Sequence, residues 1–456
     1  MPEGHLSRFV LDVVGALDLS SIYAHYERER RGYPPHHPQM MVALLIYAYC
    51  VGVPSSRKIE KRCYEDVAFR VITANTQPDH TCISEFRRIH LSSLTELFVQ
   101  VLQLCHKAGL VKLGHVAVDG TKIKANASKH KAMSYERMSK DQAALAQRVS
   151  ELLAEAEALD AAEDEEHGKG RRGDELPEDL RRATGRLDRI RALQAELEQE
   201  AREQAEAAQV AQSEAARVEA ALVEMRNVEA ARGASEHHDD DDPPPTAPHP
   251  EPLAEHQIPT EKDGTPSATS QRNFTDAQSR IMKTGDGYVQ GYNAQIAVDD
   301  FAQIIVALAV TNQPPDCEHL IPMLDRVVDN CGAVPQRCSA ANGYLSEENV
   351  ARATARGIDV YIAPGRIKHG STSTRGLTDP GSFSVKSRMK EKLATDEGHA
   401  IYARRKVIVE PVFGQTKNRG FRQFLLRGLA KVRGEFSLIG LSHNLLKLHL
   451  ATAVGA

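Results

Sequence analysis

At 456 residues, with 41% hydrophobic residues and a net charge of −5, the chain is too long for one ordinary domain and apolar enough to bury more than one core. A prior of roughly 100–200 residues per domain predicts two to four. Seven scattered cysteines with no Cys-x-x-Cys pair exclude a disulfide scaffold and a cysteine-based zinc site, and they fit reduced thiols in a cytosol. No signal peptide is expected, and the longest apolar run, Met40–Val53, is shorter than the ~20 residues needed to span a bilayer. The net charge hides a split. Acidic residues crowd the middle of the chain. From Ile401 onward Arg404, Arg405, Lys406, Lys417, Arg419, Arg422, Arg427, Lys431, Arg433 and Lys447 face only Glu410 and Glu435. That distribution, more than the total, matters for a polyanionic partner.

Residues 1–110 read as a helical domain. Met41, Leu44, Leu45 and Ala48 recur at helical spacing, as do Leu94, Phe98, Val101, Leu102 and Cys105. Between them lie basic residues near helix starts, with Thr81 or Ser84 as a cap, which suits helix-turn-helix DNA contact as well as an ordinary solvated helical domain. Residues 111–133 carry the first strand, in which Val116 and Val118 alternate and which ends near Asp119-Gly120. Residues 134–232 are rich in Ala, Glu, Leu, Gln and Arg and predict a helical hairpin, with Leu180, Leu187, Ile190 and Leu197 as a coiled-coil-like seam and Gln194 as its polar exception. Residues 233–272, with His237-His238-Asp239-Asp240-Asp241-Asp242-Pro243-Pro244-Pro245, have little to bury and predict a disordered linker.

Residues 273–456 return to an α/β pattern. Ala294–Val298 and Ile304–Val310 predict a hairpin, followed by a helix over 317–330, a strand ending near Ala341, a helix over 347–356 and a strand over 360–363. Residues 366–398 read as a loop insertion and Tyr402–Leu450 as mostly helical. Polar residues at the ends of strands in open α/β sheets are the usual place for a site. Taken singly, Asp119-Gly120 reads as a turn, Lys122 and Lys124 as solvated charges, and Glu410 as a helix-dipole partner. Glu410 and Lys417 lie two helical turns apart on one face.

Together these segments resemble the insertion-sequence transposases of the DDE superfamily. Met40 to Arg88 resembles the family's helical N-terminal domain, and Val118-Asp119-Gly120-Thr121-Lys122-Ile123-Lys124-Ala125-Asn126 the segment with its first catalytic Asp. Glu410 and Lys417 fit the Glu-x6-Lys half of its Tyr-Arg-Glu-Lys signature, and Tyr402 and Arg405 the Tyr-x2-Arg half. The gap from Arg405 to Glu410 is one residue too long, so Lys406 holds the expected Arg position, and the phosphate-contacting role is open between Arg404, Arg405 and Lys406. Asn273-Phe274-Thr275-Asp276, Gly291-Tyr292-Asn293-Ala294-Gln295, Asn342-Gly343-Tyr344 and Ser346-Glu347-Glu348-Asn349 also resemble family segments.

The resemblance implies an α/β fold: an RNase-H-like core, a helical N-terminal domain and a long helical insertion. It implies metal-dependent DNA cleavage and strand transfer with two Mg²⁺ ions (Mn²⁺ as a substitute), held by Asp119, Glu410 and a middle Asp. Lys122, Lys124, Tyr402, Arg404, Arg405, Lys406 and Lys417 would contact DNA, either transposon-end inverted repeats or target. A homodimer in the bacterial cytoplasm, at the nucleoid and off the membrane, is expected. One position departs: the middle Asp is Ala341, in Ser339-Ala340-Ala341-Asn342-Gly343-Tyr344. An Ala cannot bind a metal, and Asn342 is neutral and directed to the other face of the strand. The sequence therefore predicts a transposase inactive in cleavage. The alternative is a transposase-derived DNA-binding protein without catalysis.

Overall fold

The computed structural model describes residues 1–2, 4–28, 36–167, 178–232, 253–285, 287–365 and 384–455. The chain divides into two compact units, one of residues 1–126, 247–255 and 281–456, the other of residues 127–246 and 256–280.

The first unit begins with seven helices, α1 (Leu6–Ala16), α2 (Ser20–Arg28), α3 (Pro38–Cys50), α4 (Ser56–Glu65), α5 (Val67–Ile72), α6 (His80–Ile89) and α7 (Leu91–Lys107). Helix α3 starts on a proline, whose fixed φ suits the first turn, and every residue from Met41 to Cys50 is buried. Helix α6 is capped not by Thr81 or Ser84 but by Asp79, whose carboxylate accepts from the Thr81 and Cys82 amides. A carboxylate satisfies two otherwise unpaired donors there and complements the helix dipole.

The sheet of this unit contains β1 (Val116–Lys124), β4 (Arg280–Thr284), β5 (Gly287–Asp299), β6 (Ile305–Thr311), β7 (Arg337–Ala340) and β8 (Asp359–Ile362), in the order β4-β5-β1-β7-β8 with β6 also on β5. Strands β2 (Ala132–Ser134) and β3 (Gln271–Asn273) belong to the other unit. β5 runs antiparallel to both β1 and β6, while β7 is parallel to both β1 and β8. Val116, Ala117 and Val118 are wholly buried, as expected of a central strand covered on both faces. The mixed α/β class and the strand order along the chain follow the sequence expectation.

Among the described residues seven further α-helices come before the last. α8 (Tyr135–His167) and α9 (Glu178–Arg232) lie in the second unit, and α10 (Leu320–Cys331), α11 (Glu347–Ala355) and α12 (Val385–Ala394) in the first. Helix α12 corrects the loop expected over 366–398. Gly and Ser dominate that window, but Ser384 caps a run whose Val385 and Met389 are buried one turn apart. Residues 366–383 lie outside the described residues. Two helices, α13 (Asp396–Ile408) and α14 (Glu410–Asn418), lead to α15 (Leu429–Gly455), which packs on α7, α3 and β6. A Cβ at Gly440 would run into the Leu308 side chain and touch Phe98, so a residue without a side chain sits where α15 passes closest to β6.

In the second unit α8 and α9 form the expected hairpin. Leu180, Leu187, Ile190 and Leu197 are buried, and Leu193 joins them, with Met133, Met138 and Ile258 in the same core. The Gln194 side-chain oxygen is buried among them without a partner. The disordered linker expected over 233–272 does not hold for residues 253–272. Residues 233–252 lie outside the described residues, but 253–272 are placed, with Leu253 and Ile258 buried and a bridge between Thr260 and Pro266. Average composition hides single apolar residues that find a core. Asn273 of the Asn-Phe-Thr-Asp segment is buried and folds a turn, accepting from the Thr275 and Asp276 amides and donating to Ser128.

Among the described residues four histidines of the first unit are buried, and burial holds three of them near a pKa of about 4: His90 beside Tyr26, His115 beside Ser339 and His443 beside the Gln303 carbonyl. In the unfolded chain an imidazole protonates near 6.5. Between those values the unfolded state binds more protons, so stability falls as pH drops through the window. The expected loss is of order 2 kcal/mol per histidine at about pH 5. Urea unfolding midpoints measured at neutral and mildly acidic pH check this; equal midpoints would show that these rings are already solvated in the native state.

Candidate active site

Strand β1 alternates its side chains, so Asp119 and Thr121 face one side of the sheet and Gly120 and Lys122 the other. The last residue of β7, Ala340, pairs with Val118. The next residue, Ala341, is still extended (φ −69°, ψ 165°), so the parallel register sets position 341 beside Asp119 with both Cβ atoms on the same face. A methyl group stands there.

The third element is the junction of α13 and α14. Arg405 donates from one terminal nitrogen to Asp119 Oδ2 at 3.0 Å and from the other to Glu410 Oε1 at 3.4 Å. In one continuous helix, residues five apart diverge by about 140° around the axis. The helix breaks at Val409, which is buried and takes up the extra residue, and Glu410 opens a new helix with Pro411 in its first turn. The break turns Glu410 back toward Arg405. On the same face of α14, Lys417 Nζ reaches Thr121 Oγ1 at 3.2 Å. Tyr402 places its ring 5.9 Å from the Arg405 guanidinium.

The Arg405 side chain is 12% exposed and Asp119 20%, whereas Glu410 is 52% exposed. Burial raises the Asp119 pKa above the usual carboxylate value, with Arg405 pulling the other way. For Arg405 burial opposes the charge, but Asp119, Tyr402 and Glu410 outweigh it and the net shift is upward.

On the opposite face of β1 lies a polar network that the sequence reading missed. Asp316 accepts from Lys122 Nζ at 2.9 Å, from Asn293 Nδ2 at 2.7 Å and from Gln295 Nε2 at 2.9 Å. The Tyr344 hydroxyl donates to Gln295 Oε1, and Asn349 Nδ2 donates to the Tyr344 and Cys317 carbonyls. A Cβ at Gly120 would overlap the Gln295 amide. The Gly-Tyr-Asn-Ala-Gln and Asn-Gly-Tyr segments thus meet beneath the strand ends. Asp316, behind Pro314-Pro315, has no local pattern that separates it from an ordinary helix-start acid.

The end of β1 is strapped to the chain after α14. Asn126 Nδ2 donates to the Leu425 carbonyl, Arg427 Nε to the Asn126 carbonyl, and the buried Glu435 carboxylate accepts from the Leu425 and Leu426 amides. Of the residues singled out from sequence, Asp119, Ala341, Tyr402, Arg405, Glu410 and Lys417 come together. Lys122 turns to Asp316, Arg404 pairs with Asp300 at 3.0 Å, and Lys124 and Lys406 are exposed. Among Arg404, Arg405 and Lys406, the one inside the site is Arg405. Among the described residues no three His, Cys, Asp or Glu side chains are placed to hold a metal.

Two family models match the chain: Transposase domain (DUF772) over residues 1–88 and Transposase DDE domain over residues 257–445. No curated protein and no solved structure matches it.

Asp316→Ala leaves Lys122 without its carboxylate, while Asn293 and Gln295 keep their second acceptors, the Gln313 carbonyl and Asn293 Oδ1, and the expected loss is about 1–3 kcal/mol of stability. Asp316→Asn, which still accepts, loses less. Denaturant unfolding of both variants checks this; a loss below about 1 kcal/mol for Asp316→Ala would show that the network does not hold the strand ends.

Proposed function

The chain belongs to the insertion-sequence DDE transposases, and on that footing we propose that it binds transposon-end DNA through its basic residues without cutting it. The observation that carries the reading is the methyl group of Ala341 beside Asp119, in the place of the middle carboxylate. DDE transposase domains generally depend on a divalent metal. The donor set present does not fit such a centre: Mg²⁺ takes oxygen ligands, whereas here two carboxylates share one guanidinium and the third position offers no oxygen. No step through a metal follows for this chain.

We read the sheet of the first unit as an RNase-H-like core, which the antiparallel β6-β5-β1 half and the parallel β1-β7-β8 half support. Residues 1–110 then serve as the helical DNA-binding domain and 134–232 as a coiled-coil-like insertion into a core formed by 111–133 and 273–456. Lys417, Lys406, Lys124 and the basic residues after Asn418 supply phosphate contacts, which set position and register on DNA without reading sequence. A homodimer, engaging both ends of an element in the cytoplasm, is part of this reading. Among the described residues no helix is long and apolar enough to cross a membrane.

The experiment is a gel-shift and cleavage assay on DNA carrying the element's ends, with and without Mg²⁺. The chain is expected to bind with a strongly salt-dependent affinity and to leave the DNA intact. Ala341→Asp is expected to gain metal-dependent cleavage, and Asp119→Ala in that background to lose it. Cleavage by the unaltered chain, or absence of binding, overturns the reading. In the same binding assay Lys417→Ala lowers the salt slope by about one; an unchanged slope would remove Lys417 from the DNA surface.

A further inference from the structure

We infer that Arg405 is the resident cation of this site: its guanidinium, held between Asp119 and Glu410, closes the carboxylate pair to divalent ions. The inference rests on the reading of Asp119, Ala341 and Glu410 as the remnant of a metal centre.

Each carboxylate is engaged by a different terminal nitrogen of Arg405. The planar fork of arginine suits such a two-ended contact, and a lysine point charge does not. The remaining nitrogen, Nε, is buried without a hydrogen-bond partner. An unsatisfied buried donor is costly. The guanidinium's contacts with the acids run through its two terminal nitrogens.

The formal charges agree. Asp119 and Glu410 supply two negative charges, and Arg405 with Lys417, whose Nζ is 3.2 Å from Thr121 beside Asp119, supplies two positive ones. With alanine at position 341 the site is neutral by itself. A third carboxylate there would leave it one negative charge in excess and call for a further cation. No neighbouring acid replaces the missing one: Asp316, on the other face of β1, already accepts from Lys122, Asn293 and Gln295. Loss of the middle carboxylate and closure by the arginine are therefore matched. One removes the demand for an ion, and the other fills the space between the two remaining ligands.

The test uses the full chain without DNA. Mn²⁺ is titrated against it, with free Mn²⁺ followed by electron paramagnetic resonance and thermal unfolding recorded with and without the ion. The unaltered chain is expected to take up no Mn²⁺ at the site and to gain no stability from it. Ala341→Asp is expected to bind weakly, because the ion still has to compete with Arg405 for Asp119 and Glu410. Ala341→Asp with Arg405→Gln is expected to bind about tenfold more tightly than Ala341→Asp alone. Ala341→Asp with Arg405→Lys, which keeps the charge but spans only one acid, is expected to fall between and serves if the glutamine variant does not fold. Mn²⁺ binding by the unaltered chain that disappears with Asp119→Asn overturns the inference. So does equal affinity with and without the arginine. Because no DNA is present, failure here leaves the end-binding reading standing, and failure to bind DNA ends leaves this measurement unaffected.

Discussion

The pairing of β1 with β5 on one side and β7 on the other sets where every functional group of the first unit points. β1 contributes fully buried residues to both faces, so its alternation cannot relax toward solvent. A slip of one residue would exchange the two sets: Asp119 and Thr121 would turn to the polar network, and Gly120 and Lys122 to the helices α13 and α14. The network resists that slip. Gln295 lies where a side chain at position 120 would be, and Lys122 is held by Asp316. The glycine after Asp119 is needed for close packing against the neighbouring strand, not for a turn.

Given that register, the helical side of the site depends on a local break. The break at Val409 sets Glu410 back toward Arg405. Had α13 continued through Val409, Glu410 would have rotated away from Arg405. Stopping the helix at Ile408 and restarting it on Glu410-Pro411 restores the approach. The straps from Asn126 and Glu435 to residues 425–427 then fix the exit of α14 relative to β1.

The strand end that presents Ala341 is held as firmly as the rest of the sheet. The extended backbone at Ala341, the buried Tyr344 and the Asn349 contacts hold the strand end in place with only a methyl group to present. Phosphate contacts rest on charge and position, so the basic C-terminal stretch does not depend on what position 341 presents.

The sequence by itself determined most of the element order, the helical hairpin and the strand that carries Asp119, because periodicity is local, but it ended that strand near Asp119-Gly120 whereas β1 runs on to Lys124. It also marked Ala341 as a departure, since a missing carboxylate is visible at one position. It misjudged where local composition averages over anchors: Leu253 and Ile258 in a proline- and aspartate-rich stretch, Val385 and Met389 after a glycine- and serine-rich one, and Asp79 in place of Thr81 or Ser84 as a cap. Only the tertiary structure set Arg405, and not Arg404 or Lys406, between Asp119 and Glu410, turned Lys122 from a solvated charge into the partner of Asp316, and brought Asp316 to a strand residue about 200 positions earlier in the chain. Those outcomes depend on which strand lies beside which and on the angle at which one helix restarts. Such pairings join residues far apart in sequence, and no local pattern encodes them.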